Sequence, residues 1–496
     1  MIDTQAFRNY ILNSAIHGNL INHNIEEKTC FDISSIRKDY LCLLSQKQTK
    51  KIAESPMISE GLFSLPVSWK WVPLNQICIF LSRGKSPKYS ETKRFPVFAQ
   101  KCNQPSGLAL DRARFLDETT LDKWQDFFHL RDGDILINST GTGTMGRVGY
   151  YDSSKLDSDY PFIVPDSHIT VVRLGKRLIS KYFYYALRSQ FLQRTMEKQF
   201  RGTTNQKEFY IDSVSALPIP LPPLTEQKRI VEKIEQAFSI LDIIDELQAK
   251  YADNLTTLKS KLIDAAIQGK LTKQLPEDGT AEELYQQIQI EKAKIVFERK
   301  GRKDNSILPV DEKVPFEIPE KWKWIRFGET GFFRKGPFGS SLTKSMFVPK
   351  SADTIKVYEQ QHAIKKDHTL GTYYITKEYF DTSMKGFEVL SGDIIVSCAG
   401  TIGETYILPN NIERGIINQA LMRITVVPSI DKQFFLYYFD SQLKKSAQDG
   451  NGSAITNIPP FDVLKNLYFP LPPLAEQKRI VQKLDEILPI CERKIK

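Results

Sequence analysis

The sequence predicts an α+β protein. Two similar modules of mixed strands and helices are joined by two long helices that form an antiparallel coiled coil, with cyclic pseudo-two-fold symmetry. Three observations carry this expectation. The stretch PLPPLTEQKRIV, Pro220 to Val231, returns as PLPPLAEQKRIV, Pro470 to Val481, with eleven of twelve residues identical. A heptad pattern of apolar residues follows the first copy and starts again after the second. The match also spreads outward from the junction over most of the chain, which marks an internal repeat rather than a chance motif.

Upstream of the junction, GTTNQKEFYIDSVSALPIP from Gly202 answers GSAITNIPPFDVLKNLYFP from Gly452, and KYFYYALRS at Lys181 answers QFFLYYFDS at Gln433. RDGDILINS at Arg131 answers LSGDIIVSC at Leu390, and Trp69 and Trp71 answer Trp322 and Trp324. Short β-rich runs such as GDILIN, HITVVRL and LMRITVV alternate with helix-like pieces at 180–198 and 431–447. The expected organisation is a helical segment 1–20, a connector 21–59, module one over 60–222 and a central helix over 223–272. A helical connector 273–314, module two over 315–472 and a terminal helical segment 473–496 complete it.

The central helix is expected from Thr225 to about Gly269, with a seam that includes Ile230, Ile234, Leu241, Ile244, Leu255, Leu258 and Leu262. Its partner is expected from the two chain ends. AIHGNL at Ala15 matches AIQGKL at Ala266, while Ile480, Leu484 and Ile487 continue the seam in the C-terminal stretch. By these offsets only 247–251 lack a counterpart. Pro489 predicts a kink or frayed end, and Thr225 predicts a capped helix start that Ala475 lacks. The prolines of the junction predict a stiff extended exit from each module, and its Glu-Gln pair places an acid at the positive end of each helix dipole.

The chain of 496 residues, 41% hydrophobic and 26% charged, has the composition of a globular protein of two to four domains, and with no apolar run long enough for a membrane span it is expected in the cytoplasm. Its six cysteines follow no ligand or disulfide spacing. The net charge of +9 favours a polyanionic partner. GTGTMG at Gly141 fits a G-x-G-x-x-G pattern but is followed by no helix start, which predicts a hairpin turn. NIPPF at Asn457 is one insertion away from a base-binding methyltransferase signature, and a strand-edge or turn role is expected for it. His362 and His368 lack a metal-ligand spacing and are expected in loops or at the surface. No phosphate-binding loop and no nucleophile with its base is legible.

What remains are loops rich in hydrogen-bond donors. Module one offers Arg83, Lys85, Lys88, Gln100, Lys101 and Asn103; module two offers Arg334, Lys335, Ser340, Ser341, Lys344, Gln360 and Gln361. Lys and Arg neutralise phosphates, whereas Arg, Asn and Gln can contact base edges in pairs of hydrogen bonds, so such loops suit duplex DNA.

The doubled PLPPL-x-EQKRIV, the AI-x-G-x-L that closes the helical repeats, GPFGSSL at Gly336, GDIIVSCAGTIG and GDILIN together resemble the specificity subunit of type I DNA restriction-modification systems. The resemblance implies two target-recognition domains, each reading one half of a bipartite DNA site, with a coiled coil that sets the gap. It implies a chain without catalytic centre, cofactor or metal. Two methylation subunits bring S-adenosylmethionine and modify adenine; restriction subunits bring ATP and Mg²⁺. The competing readings are a self-contained DNA methyltransferase and a protein-binding scaffold.

Overall fold

The central strands of each module are buried on both faces, and this sets the layering. The structure is a computed structural model that describes residues 1–23, 33–55, 58, 61–156, 160–202, 207–298, 306–399, 401–448 and 460–493. The chain divides into two compact units, Ile2–Gln248 and Ala249–Lys496.

In the first unit an antiparallel sheet runs in the order Cys78–Arg83, Ile169–Leu174, Ile135–Asn138, Val148–Tyr150. Successive side chains on a strand point to opposite faces. Ile135, Ile137, Val172 and Leu174 therefore enter one core, with Tyr182, Phe183 and Leu192 of the helices Ser180–Arg188 and Gln190–Glu197. Leu136, Ile169 and Val171 enter a second core, with Val97, Phe98 and Leu116 of a smaller sheet. That sheet runs Val164–Pro165, Pro96–Phe98, Arg114–Leu116, Tyr89–Ser90, with its first pair parallel.

The second unit repeats this plan. Its main sheet runs Gly331–Lys335, Leu421–Val426, Ile394–Ser397, Thr405–Ile407, all antiparallel. Ile394 and Val396 face one core and Ile395 another. The smaller sheet runs Tyr374–Thr376, Thr354–Tyr358, Gly415–Ile417, Glu388–Val389, and keeps the parallel pair at its centre. The two small sheets differ in where the fourth strand adds. In the first unit it lies beside the antiparallel neighbour Arg114–Leu116, and in the second it lies beside the parallel partner Gly415–Ile417. The repeated Gly-Asp of GDILIN and GDIIVS closes the turn that leads into a central strand. Asp134 accepts from the Arg131 N–H at 2.9 Å and Asp393 from the Leu390 N–H at 2.8 Å.

The central helix spans Leu224–Ile267 and the C-terminal helix Leu474–Arg493. Both start one residue before the expected capping position, so Thr225 and Ala475 lie inside the first turn and the two starts are equivalent. Gln227 N–H donates to Pro223 O at 2.9 Å and Gln477 N–H to Pro473 O at 3.0 Å. Pro489 sits inside the C-terminal helix without ending it. Leu488 and Cys491 are buried on either side of it and hold the backbone in place. The N-terminal helix, Thr4–Ile16, runs antiparallel to the proximal half of the central helix: Arg8 pairs with Asp242 at 2.7 Å and Asp245 at 2.8 Å, and Thr4 Oγ1 donates to Asp245 at 2.6 Å. AIHGNL and AIQGKL end their helices in the same way. Asn19 N–H returns to Ser14 O and Lys270 N–H to Ala265 O across left-handed Gly18 and Gly269, and a Cβ at either glycine would lie 2.4 Å from Pro66 or Pro319.

The heptad seam holds over the first turns of the central helix and of the C-terminal helix and drifts towards the distal half of the central helix. Ile230, Ile234 and Leu241 are buried, as are Ile480 and Leu484; Ile244, Leu255, Leu262 and Ile487 are half-buried. Leu258 is 45% exposed, and the buried positions of the distal half are Ile263, Ala266 and Ile267. Ile240, Ile243, Leu247 and Tyr251 are exposed as well. The connector helices are Ile33–Ser45 and Ala281–Glu298, the first buried through Ile36 and Tyr40, the second through Ala281 and Ile288.

Asp278 fastens the second connector to the C-terminal helix through two hydrogen bonds from Arg479, both 2.6 Å. These bonds hold its carboxyl below the usual Asp value. Its contribution to stability is therefore present above the ordinary value of about 3.9 and lost as pH falls through the lower folded value. The melting-temperature gap between the protein and its Asp278→Asn variant is expected to be open at neutral pH and to close in that acid window.

Candidate nucleic-acid interface and the joint that carries it

The repeated junction is a buried lock. Glu226, Gln227, Glu476 and Gln477 are 0% exposed. In the first unit the Trp69 indole N–H donates to Glu226 Oε2 at 2.6 Å, His23 Nδ1 lies 2.8 Å from the same oxygen, and Ser68 Oγ donates to Oε1 at 3.4 Å. In the second the Trp322 indole donates to Glu476 Oε2 at 2.8 Å, and Thr272 and Gln274 donate to its Oε1. The glutamines tie the helix start to the module. Gln227 donates to Pro222 O at 2.9 Å and accepts from Ile179 N at 3.0 Å; Gln477 donates to Pro472 O at 2.9 Å and accepts from Asp431 N at 2.8 Å.

The proline exit is itself a paired strand, not a free spacer. Pro218–Leu221 pairs antiparallel with Lys70–Pro73, and Tyr468–Leu471 with Lys323–Arg326. Pro218 and Pro220 are two residues apart, so their missing N–H groups fall on one edge of a two-stranded sheet, where no donor is needed. Glu226 and Glu476 thus serve as acceptors for tryptophan, beyond any favourable interaction with the helix dipole.

The donor-rich loops gather at one end of each main sheet. In the first module Arg83 binds the carboxylate of Glu208 and Phe209 O, the latter at 2.7 Å. Phe209 N–H donates to Ser139 O and Ser139 N–H to His168 O, both 2.8 Å. Gln100 donates to Thr140 Oγ1 in the turn that follows. That turn is the GTGTMG stretch, a hairpin turn between Ile135–Asn138 and Val148–Tyr150 as expected. In the second module Gln360 donates to Ala399 O at the corresponding turn, and Cys398 N–H to Ala420 O at 2.8 Å.

The candidates separate by what already holds them. Lys101, Arg334, Lys335 and Lys344 are exposed, with no carboxylate oxygen within 4 Å among the described residues; Arg334 lies over the Phe387 ring at 4.5 Å. Ser340 is exposed, whereas Ser341 is half-buried and its carbonyl accepts from Tyr379 Oη at 2.7 Å. Lys88 pairs with Asp117 at 2.8 Å. Lys85 turns inward to Lys123 O and Gln125, over the Phe128 ring at 4.5 Å, and burial followed by the nearby Lys50 lowers its pKa. Gln361 donates to Glu359 at 2.9 Å.

Two expectations are corrected. Asn103 is 0% exposed, because its amide donates to Asn138 at 2.9 Å and to Leu136 O and Arg147 O beneath the sheet, so it is part of the scaffold. His362 is buried, with its ring nitrogens 2.9 Å from Glu359 O and 2.6 Å from Leu370 O. The Asn457 end of NIPPF lies outside the described residues; Phe461 opens a short helix, Phe461–Lys465. Residues Glu208, Phe209 and Ser139, which complete the first rim, were not singled out in the sequence. No group of three or more His, Cys, Asp or Glu among the described residues could hold a metal ion. No helix there is long and apolar enough to cross a membrane.

The family model for the type I restriction modification DNA specificity domain matches residues 66–250 and 348–496. The type I restriction enzyme EcoAI specificity subunit of Escherichia coli is 25% identical, over 99% of this chain and 90% of that protein. The EcoEI specificity subunit of the same organism is 23% identical, over the same shares of both chains. In fold the chain is similar to a solved chain from work on the complex assembly and conformational transition of the type I R-M system, with a TM-score of 0.56 and 18% identity over 87% of this chain and 93% of that one. With two-thirds of its length covered by the domain model and nearly all of it by these relatives, the chain belongs to the type I restriction-modification specificity family, whose non-catalytic subunits direct methylation and restriction to chosen DNA sequences.

Proposed function

We propose that each module reads one half of a bipartite duplex target and that the helices between the modules set the spacer. Two methylation subunits then supply S-adenosylmethionine chemistry on adenine, and restriction subunits supply ATP- and Mg²⁺-dependent cleavage. The observation that supports this most strongly is the doubled lock. The same tryptophan, glutamate and glutamine fix each module to the first turn of a helix, while the rim loops differ in sequence. The exposed cations Lys101, Arg334, Lys335 and Lys344 are the phosphate contacts this reading favours, since no carboxylate among the described residues holds them.

The test uses the length of the helix. Inserting seven helix-forming residues after Gln248 leaves the contacts of 224–248 and of 262–267 within their own units. At about 1.5 Å per residue the insertion adds roughly 10 Å, about three base pairs at 3.4 Å, and turns the helix by about 20°, while the twist of the DNA over those base pairs, roughly 100°, has to be taken up in the duplex. Mapping methylated adenines is expected to return the same two half-sites with a spacer longer by about three base pairs. An unchanged spacer would remove the ruler from this reading.

A further inference from the structure

A rim element that both modules keep is the Gly-Thr turn, GTGTMG at Gly141 and GTIG ending at Gly403. Readers of different base sequences must differ, so a shared element at the same rim suits what two half-sites have in common, their phosphates. In the first module four consecutive N–H groups, those of Thr140, Gly141, Thr142 and Gly143, donate to no acceptor among the described residues, while the flanking Ser139, Thr144, Met145 and Gly146 N–H groups are all taken. Gly141 and Gly143 adopt φ of +104° and +74°, whereas Thr142 and Thr144 do not have positive φ, and such alternation of left- and right-handed residues is the backbone pattern in which successive N–H groups can form an arc around an anion. Thr142 and Gly143 are exposed. In the second module the N–H groups of Thr401 and Ile402 likewise find no acceptor among the described residues, while Gly403 and Glu404 donate to Ser397.

The same brace holds both turns. Gln100 bonds Thr140 in one and Gln360 bonds Ala399 O in the other. A Cβ at Gly141 would lie 2.3 Å from Gln100 Oε1, so glycine is needed for the brace to seat. Lys101 follows Gln100 directly in the chain and is exposed.

We infer that the Gly-Thr turn of each module is a sequence-independent grip on a DNA phosphate, made by backbone N–H groups. This rests on the reading of the modules as DNA binders. The test is binding of the full chain, assembled with its methylation subunits, to a fluorescent duplex carrying the methylated target and to a scrambled duplex, over a series of salt concentrations.

Thr142→Glu places a negative charge at an exposed position of the arc without disturbing a glycine. It is expected to weaken binding to both duplexes by the same factor, on the order of tenfold, and to lower the salt slope by about one. Thr142→Gln is expected to stay within about twofold. Thr401→Glu tests the second module in the same way and stands in if the first variant misfolds. The inference is overturned if both glutamate variants leave binding unchanged, or if they weaken the target duplex alone, which would make the turn a base reader. A wild-type complex with no salt-dependent binding to either duplex would instead sink the DNA reading itself, and the grip with it.

Discussion

Replacing residues 74–217 with the equivalent segment of another specificity subunit is expected to change one half of the methylated sequence and leave the other half and the spacer as they were. The boundaries follow from the lock. Trp69, the strand pair Lys70–Pro73 with Pro218–Leu221, and Glu226 and Gln227 all stay in place, so the grafted module meets the joint it needs. The effect is large because base-pair mismatches cost about 1–3 kcal/mol each, roughly additively. Three altered positions in a half-site amount to about 3–9 kcal/mol, more than 100-fold in affinity. Mapping methylated adenines reads the result directly. A graft that altered both half-sites would show that the two modules do not read independently.

The second large effect is expected at the joint. Trp69→Phe removes the N–H that donates to Glu226 at 2.6 Å and leaves a carboxylate that is 0% exposed short of a donor. Loss of a hydrogen bond to a buried charged group costs about 2–3 kcal/mol. In a unit of this size that lowers the melting temperature by roughly 4–12 °C. Trp322→Phe is expected to do the same to the second unit, through Glu476. Trp71→Phe is the control: its indole donates to the neutral Phe63 carbonyl at 3.2 Å, and its loss is expected to cost about 1 kcal/mol or less. Equal melting temperatures for Trp69→Phe and Trp71→Phe would show that the buried glutamate is not what fixes the module to its helix.

The repeat, the two modules and the helices were legible in the sequence because the residues that make the joint are the ones the two copies share. Their role was not legible. Glu226 stands where an acid favours a helix dipole, and only its burial beside Trp69 shows it to be an acceptor. The heptad seam failed for a geometric reason. A straight α-helix drifts by about 20° per heptad, so a seam counted from Ile230 has turned by roughly 80° at Leu258, four heptads on. Leu258 is accordingly exposed, and Ile263, Ala266 and Ile267 take the buried face.

Among the rim residues, Lys101, Arg334, Lys335 and Lys344 stand exposed. Asn103 could not be told from them in sequence. It belongs to a two-residue strand, Asn103–Gln104, too short to show a pattern, and its side chain turns under the sheet to Asn138. Glu208 and Phe209 reach the rim from more than 120 positions along the chain from Arg83, a pairing no local pattern encodes.

The exposed side chains Ile240, Ile243, Leu247, Tyr251 and Leu258 lie along one 44-residue helix that contains neither glycine nor proline. A run of apolar groups of that kind lowers colloidal stability. The isolated chain is therefore expected to clump as its concentration rises, which light scattering on a dilution series checks.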